Sequence, residues 1–536
     1  MNNNANTNDN DLTKKLLPYQ IPHLLQLYEC LSIKNRVIDS SDTGTGKTYT
    51  AIGVSKMLKC KPFIICPKSV ISNWINVCKF FDHKILGISN YEMLKNGKYY
   101  TENYEIVNCP YMDKNIITKK EEKKLDDKTI NMLSNLPDKD IGKYLDILKK
   151  LDENNQENQK EEVEFTFYLP NDTIVIIDEA HRCKNYGSLT SKLLEGLNKN
   201  NVKIMLLSAT LCDKLECFKP FGVILGLFKE VKKYNDWMKS KIKFEEVKNK
   251  ELLNYKDDNL KIKIIHNTIF PNFGSRMKIS ELGDLFPKNN IIANCYFLQN
   301  HNEVEKEYKE INKALDNLKK KENDEYNMLV RILRARQKIE MLKVTLILDL
   351  VEEGIDSNNS IAIFVNFKET LNHIKKYIED NFNRKDISLI EGGQKLSERD
   401  DYIDKFQKNI NKIIICMIQA GNVGISLHDL NGNHPRISII SPSWSGQDMK
   451  QVFGRIHRAG GKSPSIQKLV YVSGTYEEQI CELLKIKLKN IDGINDGDFA
   501  DPKITKEELE QINNLELNNN TNLENKKYKK KSISKL

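Results

Sequence analysis

The sequence has 536 residues, of which 39% are hydrophobic and 29% are charged. A chain of this length is too long for one ordinary hydrophobic core, so two or three domains are expected. Its 83 Lys and Arg against 74 Asp and Glu give a net charge of +9, which alone neither requires nor excludes nucleic acid as a partner. No apolar run reaches the roughly 18 residues that a membrane span needs, and the first eleven residues lack the features of a secretory signal.

The 11 cysteines are scattered along the chain and form no C-x-x-C pair. Cys212 and Cys217 lie close together, but no second pair of Cys or His accompanies them at the spacing of a zinc site. We therefore expect free thiols in a reducing compartment. The expected location is intracellular, either cytoplasmic or nuclear, with the virion as the alternative if the chain is viral.

Short apolar runs alternate with helical patterns, which is typical of parallel sheets wrapped by helices. In the first half, strands are predicted at 36–39, 62–66, 85–89, 173–177 and 203–208, with helices at about 47–59, 69–80 and 188–197. In the second half, strands are predicted at 361–365, 387–390, 412–417, 436–441 and 468–472, with helices near 368–381, 397–407, 446–457 and 476–489. The two sets are similar in size, so we expect an α/β fold with two parallel-sheet lobes and helical insertions.

Three segments interrupt this alternation. Residues 95–164 are rich in charged and amide side chains and predict a solvated insertion, the stretch at about 229–260 is not assigned, and residues 300–353 predict long helices. Both chain ends are polar, and the last one carries the basic cluster KKYKKK, so both are expected to be disordered. The predicted division is a disordered N-terminus at 1–16, a first lobe at 17–285, a helical connector at 286–354, a second lobe at 355–495 and a basic disordered tail at 496–536.

A nucleotide-binding loop is predicted at residues 41–48, SDTGTGKT, between a strand and a helix. A phosphate site needs small residues whose backbone N–H groups approach the oxygens, a Lys for the outer phosphates and a hydroxyl for Mg²⁺. Gly46, Lys47 and Thr48 supply these groups, whereas Ser41 stands where the general motif has its first Gly. The predicted binding residues are Ser41, Asp42, Thr43, Gly44, Thr45, Gly46, Lys47 and Thr48.

Two adjacent carboxylates, Asp178 and Glu179, follow the apolar residues 174–177. The carboxyl end of a buried strand is where ligands bind in α/β proteins. Asp178 is predicted to hold Mg²⁺ together with Thr48, and Glu179 to polarise an attacking water. Residues 208–210, SAT, follow another apolar strand and suit a hydrogen-bonding relay between the carboxylates and the other lobe.

Arg455 and Arg458 lie in the run QVFGRIHR near the end of the second half, where a helix is predicted. Residues three apart on a helix share a face. Two guanidinium groups directed at the other lobe would stabilise negative charge on a γ-phosphate. The alternative interpretation is an ordinary cationic helix face.

In this order, the motifs resemble those of superfamily-two helicases, and within them the Swi/Snf-like group of translocases. Residues 66–74, CPKSVISNW, are similar to that group's CP-x-S-x-x-x-NW motif, and residues 89–91, SNY, to its next element. Residues 178–185, DEAHRCKN, are close to its DEAH-x-x-KN motif. In the second half, residues 421–427, GNVGISL, match G-x-x-G-x-x-L, and residues 474–478, GTYEE, resemble GT-x-E. The resemblance extends over about residues 17–490.

The resemblance implies two RecA-like lobes that close on ATP and Mg²⁺, and an ATP hydrolase that moves on nucleic acid. It implies that Gln20, in the pair Tyr19-Gln20, reads adenine, and that Glu179 is catalytic. The residues that it implies in the second lobe are Gly424, Gln451, Arg455 and Arg458. Nucleic acid would lie across both lobes, against the CP-x-S, tyrosine and G-x-x-G elements. No membrane is implied as a partner, and no protein partner is identified.

Three departures from the group narrow the expected function. The phosphate loop reads TGTGKT rather than the GLGKT of chromatin remodellers, residues 442–445, PSWS, match the tryptophan motif only in part, and no histone-reading segment is recognised. We therefore expect a stand-alone helicase of the kind found in large DNA viruses, acting on double-stranded DNA. The alternatives are an RNA helicase or transcription-linked helicase, and a nucleotide-gated scaffold without turnover. Glu179 and the two arginines argue against the scaffold.

Overall fold

The computed structural model describes residues 12, 14–101, 105–120, 159–212, 214–248, 257–283, 286–319, 325–382, 384–421, 425–458, 460–478, 480, 481, 484 and 488. The predicted disordered tail, most of the predicted disordered N-terminus, Gly424 and the centre of the insertion lie outside these residues. Leu12 and Leu16 belong to the segment predicted to be disordered, yet both are buried in the core of the first lobe.

The first lobe is built on an eight-stranded sheet with a separate two-stranded hairpin beside it. The strands are β1 (Arg36–Asp39), β2 (Lys61–Ile65), β3 (Gly87–Ser89), β4 (Lys98–Tyr100), β5 (Ile106–Asn108), β6 (Met112–Lys120), β7 (Gln159–Phe167), β8 (Thr173–Asp178), β9 (Lys203–Leu207) and β10 (Gly274–Ser275). The helices are α1 (Gln20–Lys34), α2 (Lys47–Met57), α3 (Ile71–Phe80), α4 (Tyr91–Leu94), α5 (Leu189–Asn198), α6 (Lys219–Ile224), α7 (Tyr234–Lys248) and α8 (Asp257–Ile269). The sheet order is β10-β1-β9-β8-β2-β3-β4-β5, and only the pairings of β4 are antiparallel.

The second lobe is built on a six-stranded sheet in which every pairing is parallel. Its strands are β11 (Asn289–Tyr296), β12 (Ser360–Val365), β13 (Ile387–Ile390), β14 (Ile413–Met417), β15 (Arg436–Ile440) and β16 (Ser465–Val472). Its helices are α9 (His301–Lys319), α10 (Glu325–Leu342), α11 (Val344–Asp356), α12 (Lys368–Asn381), α13 (Leu396–Gln407), α14 (Ile418–Gly421) and α15 (Gly446–Phe453). The order is β11-β16-β15-β12-β14-β13. Among the described residues, no helix combines the length and the apolar character needed to cross a membrane.

All ten predicted strands are confirmed, with ends displaced by no more than three residues. The strongest example is β8, whose neighbours β2 and β9 both pair with it in parallel. Its four residues 174–177 are almost fully buried because helices cover both faces of the sheet. Burying one aliphatic side chain of this size contributes about 1.5–3 kcal/mol, so a continuous apolar run is a reliable signal for a central strand.

The strands that the sequence does not reveal lie at edges or in short pairings. β10 has two residues, and β11 reads NNIIANCY, in which polar residues surround a single pair of isoleucines. β11 pairs with β16 and forms one edge of the second sheet. An edge strand is less covered than a central strand, so it can carry more polar side chains. The prediction of a wholly helical connector at 286–354 is therefore wrong at its start, whereas its long helices are present.

The parallel pairings bring the carboxyl ends of β1, β8 and β9 to one edge of the first sheet. The segments that follow these three strands carry the nucleotide loop, the two carboxylates and the SAT run. In open α/β sheets this edge is where ligands bind.

The described ends of the insertion are strands that belong to the folded lobe. β6 and β7 pair antiparallel from Met112 with Phe167 to Lys120 with Gln159. β7 lies against α5, where the Phe165 side chain is fully buried and an added Cβ at Gly196 would overlap the Phe165 carbonyl oxygen. The interpretation of residues 95–164 as a wholly solvated insertion is therefore wrong at both ends.

Replacing residues 121–158 with a short Gly/Ser linker should leave the ATPase rate within a few-fold and the unfolding midpoint nearly unchanged. The hairpin partners Lys120 and Gln159 are paired in the native register, so a short turn can join them. Replacing 113–159 instead removes the partner strand of β7 and exposes Phe165, which should lower the free energy of unfolding by about 3 kcal/mol. Urea unfolding followed by circular dichroism compares the two. Equal stability of the two replacements would contradict the structural role given to the hairpin.

Candidate active site

The nucleotide loop connects β1 to α2 through two glycines in the left-handed region. Gly44 has φ +94° and Gly46 has φ +92°, values that side chains larger than glycine rarely tolerate. An added Cβ at Gly46 would also overlap Nε2 of Gln20. The loop therefore leads into the N-terminus of an 11-residue helix. Backbone N–H groups at such a position can donate to a ligand, which is the arrangement that binds phosphate groups.

Lys47, the first residue of α2, turns its ammonium group into this loop. Its Nζ donates to the carbonyl oxygens of Ser41 at 2.7 Å and Asp42 at 3.1 Å. Burial lowers the pKa of Lys47, and the nearby carboxylates of the site oppose that effect. The charge is thus placed beside the loop backbone by hydrogen bonds to the loop itself.

Gln20 contacts the same loop from α1. Its Nε2 donates to the Thr45 carbonyl oxygen at 3.0 Å, and its Oε1 accepts from the Leu17 backbone N–H at 2.9 Å. The Tyr19 hydroxyl donates to the same Thr45 oxygen at 3.1 Å. The structure brings Gln20 to the nucleotide loop, and its contact with adenine stays a prediction.

Asp178 and Glu179 follow β8 directly and are both held by specific donors. Trp74 Nε1 donates to Asp178 Oδ2 at 2.9 Å, and the Glu179 backbone N–H donates to Asp178 Oδ1 at 2.9 Å. Glu179 has φ +53°, a left-handed conformation that turns the chain sharply at this point. His181 Nδ1 lies 3.3 Å from Glu179 Oε2.

The two carboxylates differ in their electrostatic surroundings. Burial, reinforced by the charge of Glu179, raises the pKa of Asp178. Burial alone would raise the pKa of Glu179 as well, but the hydrogen bond and charge of His181, with Lys47 and Arg455, lower it instead. Glu179 is therefore held ionised by its neighbours, whereas the charge of Lys47 on Asp178 does not reverse the effect of burial there, so a bound metal ion would suit Asp178.

Trp74 and Tyr91 belong to motifs that are predicted to contact nucleic acid, yet both contact Asp178, Trp74 at the carboxylate and Tyr91 at the backbone. Trp74 is fully buried on Asp178, and the Tyr91 hydroxyl donates to the Asp178 carbonyl oxygen at 2.6 Å. The sequence showed where these residues lie along the chain but not that they support the end of β8. A motif position gives no information on which way a side chain points.

The SAT run meets both the carboxylates and the second lobe. Ser208 Oγ lies 3.2 Å from His181 Nδ1 and accepts from the Thr210 backbone N–H. The Thr210 carbonyl oxygen accepts from Gln447 Nε2 at 2.9 Å. Gln447 Oε1 in turn accepts from Lys184 Nζ at 2.5 Å. These contacts provide the connection that the predicted relay requires.

Residues of the second lobe reach directly into the first-lobe site. Gln451, in α15, donates from Nε2 to Glu179 Oε2 at 3.0 Å. An added Cβ at Gly44 would lie 3.0 Å from Arg458 Cγ, and one at Gly454 would lie 3.0 Å from Thr43 Cβ. The second lobe therefore contacts both Glu179 and the nucleotide loop.

The prediction that Arg455 and Arg458 lie on a helix is wrong, because α15 ends at Phe453. The chain turns there so that the Leu427 backbone N–H can donate to the Arg455 carbonyl oxygen at 2.9 Å, which a continued helix would not permit. The guanidinium groups nevertheless meet, since Arg455 Nη1 and Arg458 Nη2 both donate to the Ile425 carbonyl oxygen, at 3.3 and 2.9 Å. Burial lowers the pKa of Arg455 to about 10 and that of Arg458 to about 9.

The groups at this site suit a nucleotide with Mg²⁺. A hydroxyl at Thr48 and a partly buried carboxylate at Asp178 are oxygen ligands of the kind that Mg²⁺ prefers, completed by substrate phosphates. Within the described ranges, no cluster of three or more His, Cys, Asp or Glu side chains could hold a metal by itself. The two loop glycines let the Gln20 and Arg458 side chains approach the loop backbone more closely than a Cβ at either position would allow.

Residues 13–213 match the family described as "Type III restriction enzyme, res subunit", and residues 337–460 match "Helicase conserved C-terminal domain". A protein of Acanthamoeba polyphaga mimivirus described as an ATP-dependent RNA helicase is 33% identical over 510 residues, covering 93% of this chain and 87% of that protein. The SWI/SNF-related matrix-associated actin-dependent regulator of chromatin subfamily A-like protein 1 of Drosophila melanogaster is 22% identical over 503 residues, covering 91% of this chain and 57% of that protein.

A solved structure of the Sulfolobus solfataricus SWI2/SNF2 ATPase core in complex with dsDNA is also similar. It is 18% identical, with 92% of this chain and 96% of that chain covered and a TM-score of 0.33. The mimivirus relative, at 33% identity over 93% of the chain, is sufficient to establish the family. The chain belongs to the superfamily-two ATP-dependent helicases, and it is an ATP hydrolase.

Proposed function

We propose that the chain couples hydrolysis of Mg²⁺-bound ATP to movement along double-stranded DNA. The observation that carries this proposal is the hydrogen bond from Gln451 of the second lobe to Glu179 of the first. A catalytic carboxylate that is positioned by the opposite lobe makes hydrolysis depend on how the lobes are arranged. Such dependence is what converts a chemical step into a movement.

The first lobe binds ATP and activates water in this proposal. Lys47 contacts the outer phosphates, and Thr48 and Asp178 hold Mg²⁺, which when bound neutralises charge on the phosphate oxygens. Glu179 is ionised and accepts the proton of the attacking water as the new O–P bond forms. Gln451 fixes the orientation of that carboxylate, and Gln20 contacts adenine.

The second lobe supplies positive charge to the transition state. Arg458 lies over Gly44 of the nucleotide loop, and Arg455 is close enough to lower the pKa of Glu179. Arg455 is buried and Arg458 is partly buried, and in such surroundings a positive charge acts more strongly on a developing negative charge than it would in water. We assign both arginines, together with Gly424, to the nucleotide site.

A groove between the lobes suits a nucleic-acid strand. It encloses about 440 Å³, and its lining includes Lys184, Lys214 and Arg336 beside Phe367 and Trp444. The Arg336 guanidinium stacks 4.7 Å from the Trp444 ring centroid. Proteins that bind a nucleic-acid strand without reading its sequence place Lys and Arg side chains against the phosphates and aromatic rings against the faces of the bases.

Double-stranded DNA is favoured as the track because the motif set around residues 73–74, 184–185 and 474–475 resembles that of Swi/Snf-like translocases. The second candidate is an RNA helicase, and the description of the mimivirus relative supports it. We also propose an intracellular location, cytoplasmic or nuclear, and the division into lobes at 17–285 and 355–495 joined through 286–354.

Glu179→Gln should still bind ATP but lose orders of magnitude in turnover, because a neutral amide cannot accept the proton of the attacking water. Lys47→Ala should weaken nucleotide binding itself. Phosphate release and titration with a fluorescent nucleotide separate the two effects. Glu398→Gln, an exposed residue of α13, is the matched control and should behave as wild type. Wild-type turnover in Glu179→Gln would remove the assignment of the base.

Arg458→Ala should reduce turnover more than ATP affinity, because its charge is needed most when the γ-phosphate develops negative charge. Arg384→Ala, in a partly exposed pair with Asp386, serves as the control and should have little effect. The kcat and KM for ATP are the quantities to measure. A loss confined to KM would assign Arg458 to ground-state binding, against the proposed role. The first-lobe fragment alone should be inactive.

Double-stranded DNA of any sequence should stimulate the ATPase, and the stimulation should fall steeply between about 50 and 200 mM salt, because phosphate contacts release counterions. Lys214→Ala should reduce this stimulation while leaving the basal rate within two-fold. Matched DNA and RNA duplexes and single strands, with a triplex-displacement assay, make the comparison. Stimulation by RNA alone without triplex displacement would replace the DNA proposal with the RNA helicase.

A further inference from the structure

A segment far from the nucleotide loop in sequence runs alongside the end of β1 and the first two residues of the loop, Ser41 and Asp42. We call residues 273–279 the clamp segment. The backbone N–H groups of Ile38, Ser40 and Asp42 donate to the carbonyl oxygens of Phe273, Ser275 and Met277, at 2.7, 3.1 and 3.0 Å. The alternation continues the β1–β10 pairing beyond the end of β1, so the clamp segment fixes the backbone of the loop as a sheet fixes a strand.

Arg276 of the clamp segment donates hydrogen bonds to Ser40, just before the loop, and to Asp42 in the loop. Its Nη1 donates to the Ser40 carbonyl oxygen at 2.5 Å, and its Nη2 donates to Asp42 Oδ1 at 2.9 Å. The second oxygen of Asp42 accepts from the Ile279 backbone N–H at 3.0 Å. The Arg276 side chain is 7% exposed, so this is a largely desolvated ion pair across 234 residues of sequence.

The hydroxyl of Ser41 is held in the same way. Its Oγ accepts from the Met277 backbone N–H at 2.9 Å and lies 3.2 Å from Nε2 of His23. His23 is buried in α1, with Nε2 at 3.1 Å from Asp39 Oδ2 and Nδ1 at 2.8 Å from Ser275 Oγ. One imidazole therefore joins β1, the loop and the clamp segment.

These contacts change the interpretation of Ser41 and Asp42, which the sequence predicts as nucleotide ligands. Their side chains are engaged by the clamp segment. Their carbonyl oxygens, however, are the two acceptors that hold the ammonium group of Lys47. The position of Lys47 thus depends on two residues that the clamp segment holds in place.

We propose that the clamp segment positions the nucleotide loop for ATP, with Arg276 as the principal positioning residue and His23 as its support. The inference rests on the proposed binding of ATP by this loop. Without the guanidinium, Ser40 and Asp42 lose the donor that joins them, and the carbonyl oxygens that orient Lys47 shift. The effect falls on ATP binding, because Glu179 and the second-lobe arginines are untouched.

Replacing a whole buried ion pair with apolar residues often costs little stability, whereas removing one partner leaves the other charge uncompensated and lowers stability. Asp42 is 20% exposed and keeps the Ile279 backbone N–H as a donor, so we expect Arg276→Met to be less stable than wild type but folded. A positioning role then shows as a raised KM for ATP in the folded variant, because Met fills the volume of Arg276 but cannot hold Ser40 and Asp42 together. Arg276→Lys retains the charge but not the two-pronged geometry, so its effect should be intermediate.

The test compares the full-length wild type with Arg276→Met, Arg276→Lys and Arg276→Ala, using Arg384→Ala as the matched control. The KM for ATP and the dissociation constant of a fluorescent ATP analogue should rise at least ten-fold in Arg276→Met, with kcat within three-fold. The thermal midpoint without nucleotide should fall, because Asp42 loses its cation, so KM and kcat are measured well below that midpoint, where circular dichroism shows the variant to be folded. Millimolar guanidinium chloride should restore ATP binding to Arg276→Ala, because the ion fits the space that the side chain leaves, and it should not restore Lys47→Ala.

The results distinguish a failure of the proposed ATP site from a failure of the positioning role of Arg276. If Lys47→Ala binds ATP as well as wild type, the assignment of the nucleotide loop fails. If Lys47→Ala loses binding while a folded Arg276→Met keeps the wild-type KM, the loop assignment stands and the positioning role is overturned. A loss of kcat at unchanged KM in Arg276→Met would overturn it as well. If Arg276→Met does not fold, Asp42→Asn provides the decision, since it weakens the same ion pair while keeping an acceptor for Ile279, and an unchanged KM there overturns the role.

Discussion

The site depends on neutralising several buried charges that lie within one small region. Asp178 and Glu179 are adjacent and only partly exposed, and an uncompensated charge at such a position is costly. Lys47 of the first lobe partly compensates the charge of these carboxylates. Arg455 is buried in the second lobe, and the charge of Glu179 opposes the lowering of its pKa by burial. Each lobe therefore carries charge that the other stabilises. The charges that favour association of the lobes are therefore the same charges that surround Glu179.

Continuous apolar runs revealed the central strands because a strand covered on both faces has no polar side. β10 and β11 escaped prediction for the opposite reason: one is two residues long and the other is an edge. The end of α15 was also misplaced, since the residues after Phe453 keep helical spacing in sequence. That helix stops early because the Arg455 carbonyl oxygen accepts a hydrogen bond from the Leu427 backbone N–H. This contact depends on the packing of two segments that are separate in sequence.

The residues of the nucleotide loop and the carboxylates could be identified from spacing, because phosphate and Mg²⁺ chemistry tolerates few residue types. Their supports could not. Trp74 reaches Asp178, and Arg276 reaches Asp42, only because the sheet order places β2 beside β8 and β10 beside β1. Hydrogen bonds of this kind have no local signature. They follow from topology, and topology is decided by which buried strands pair.

The clamp segment lies just before the crossing to the second lobe, and this limits how the lobes can separate. Ile279 contacts Asp42 of the nucleotide loop, and eight residues later the Pro287 carbonyl oxygen lies 2.7 Å from Nε2 of His457. Eight residues extend over at most about 29 Å, so the loop and the arginines on either side of His457 stay tethered. The nucleotide loop and the second-lobe arginines are therefore connected by a short stretch of chain, whereas Lys184 and Trp444 of the groove lie far apart in sequence.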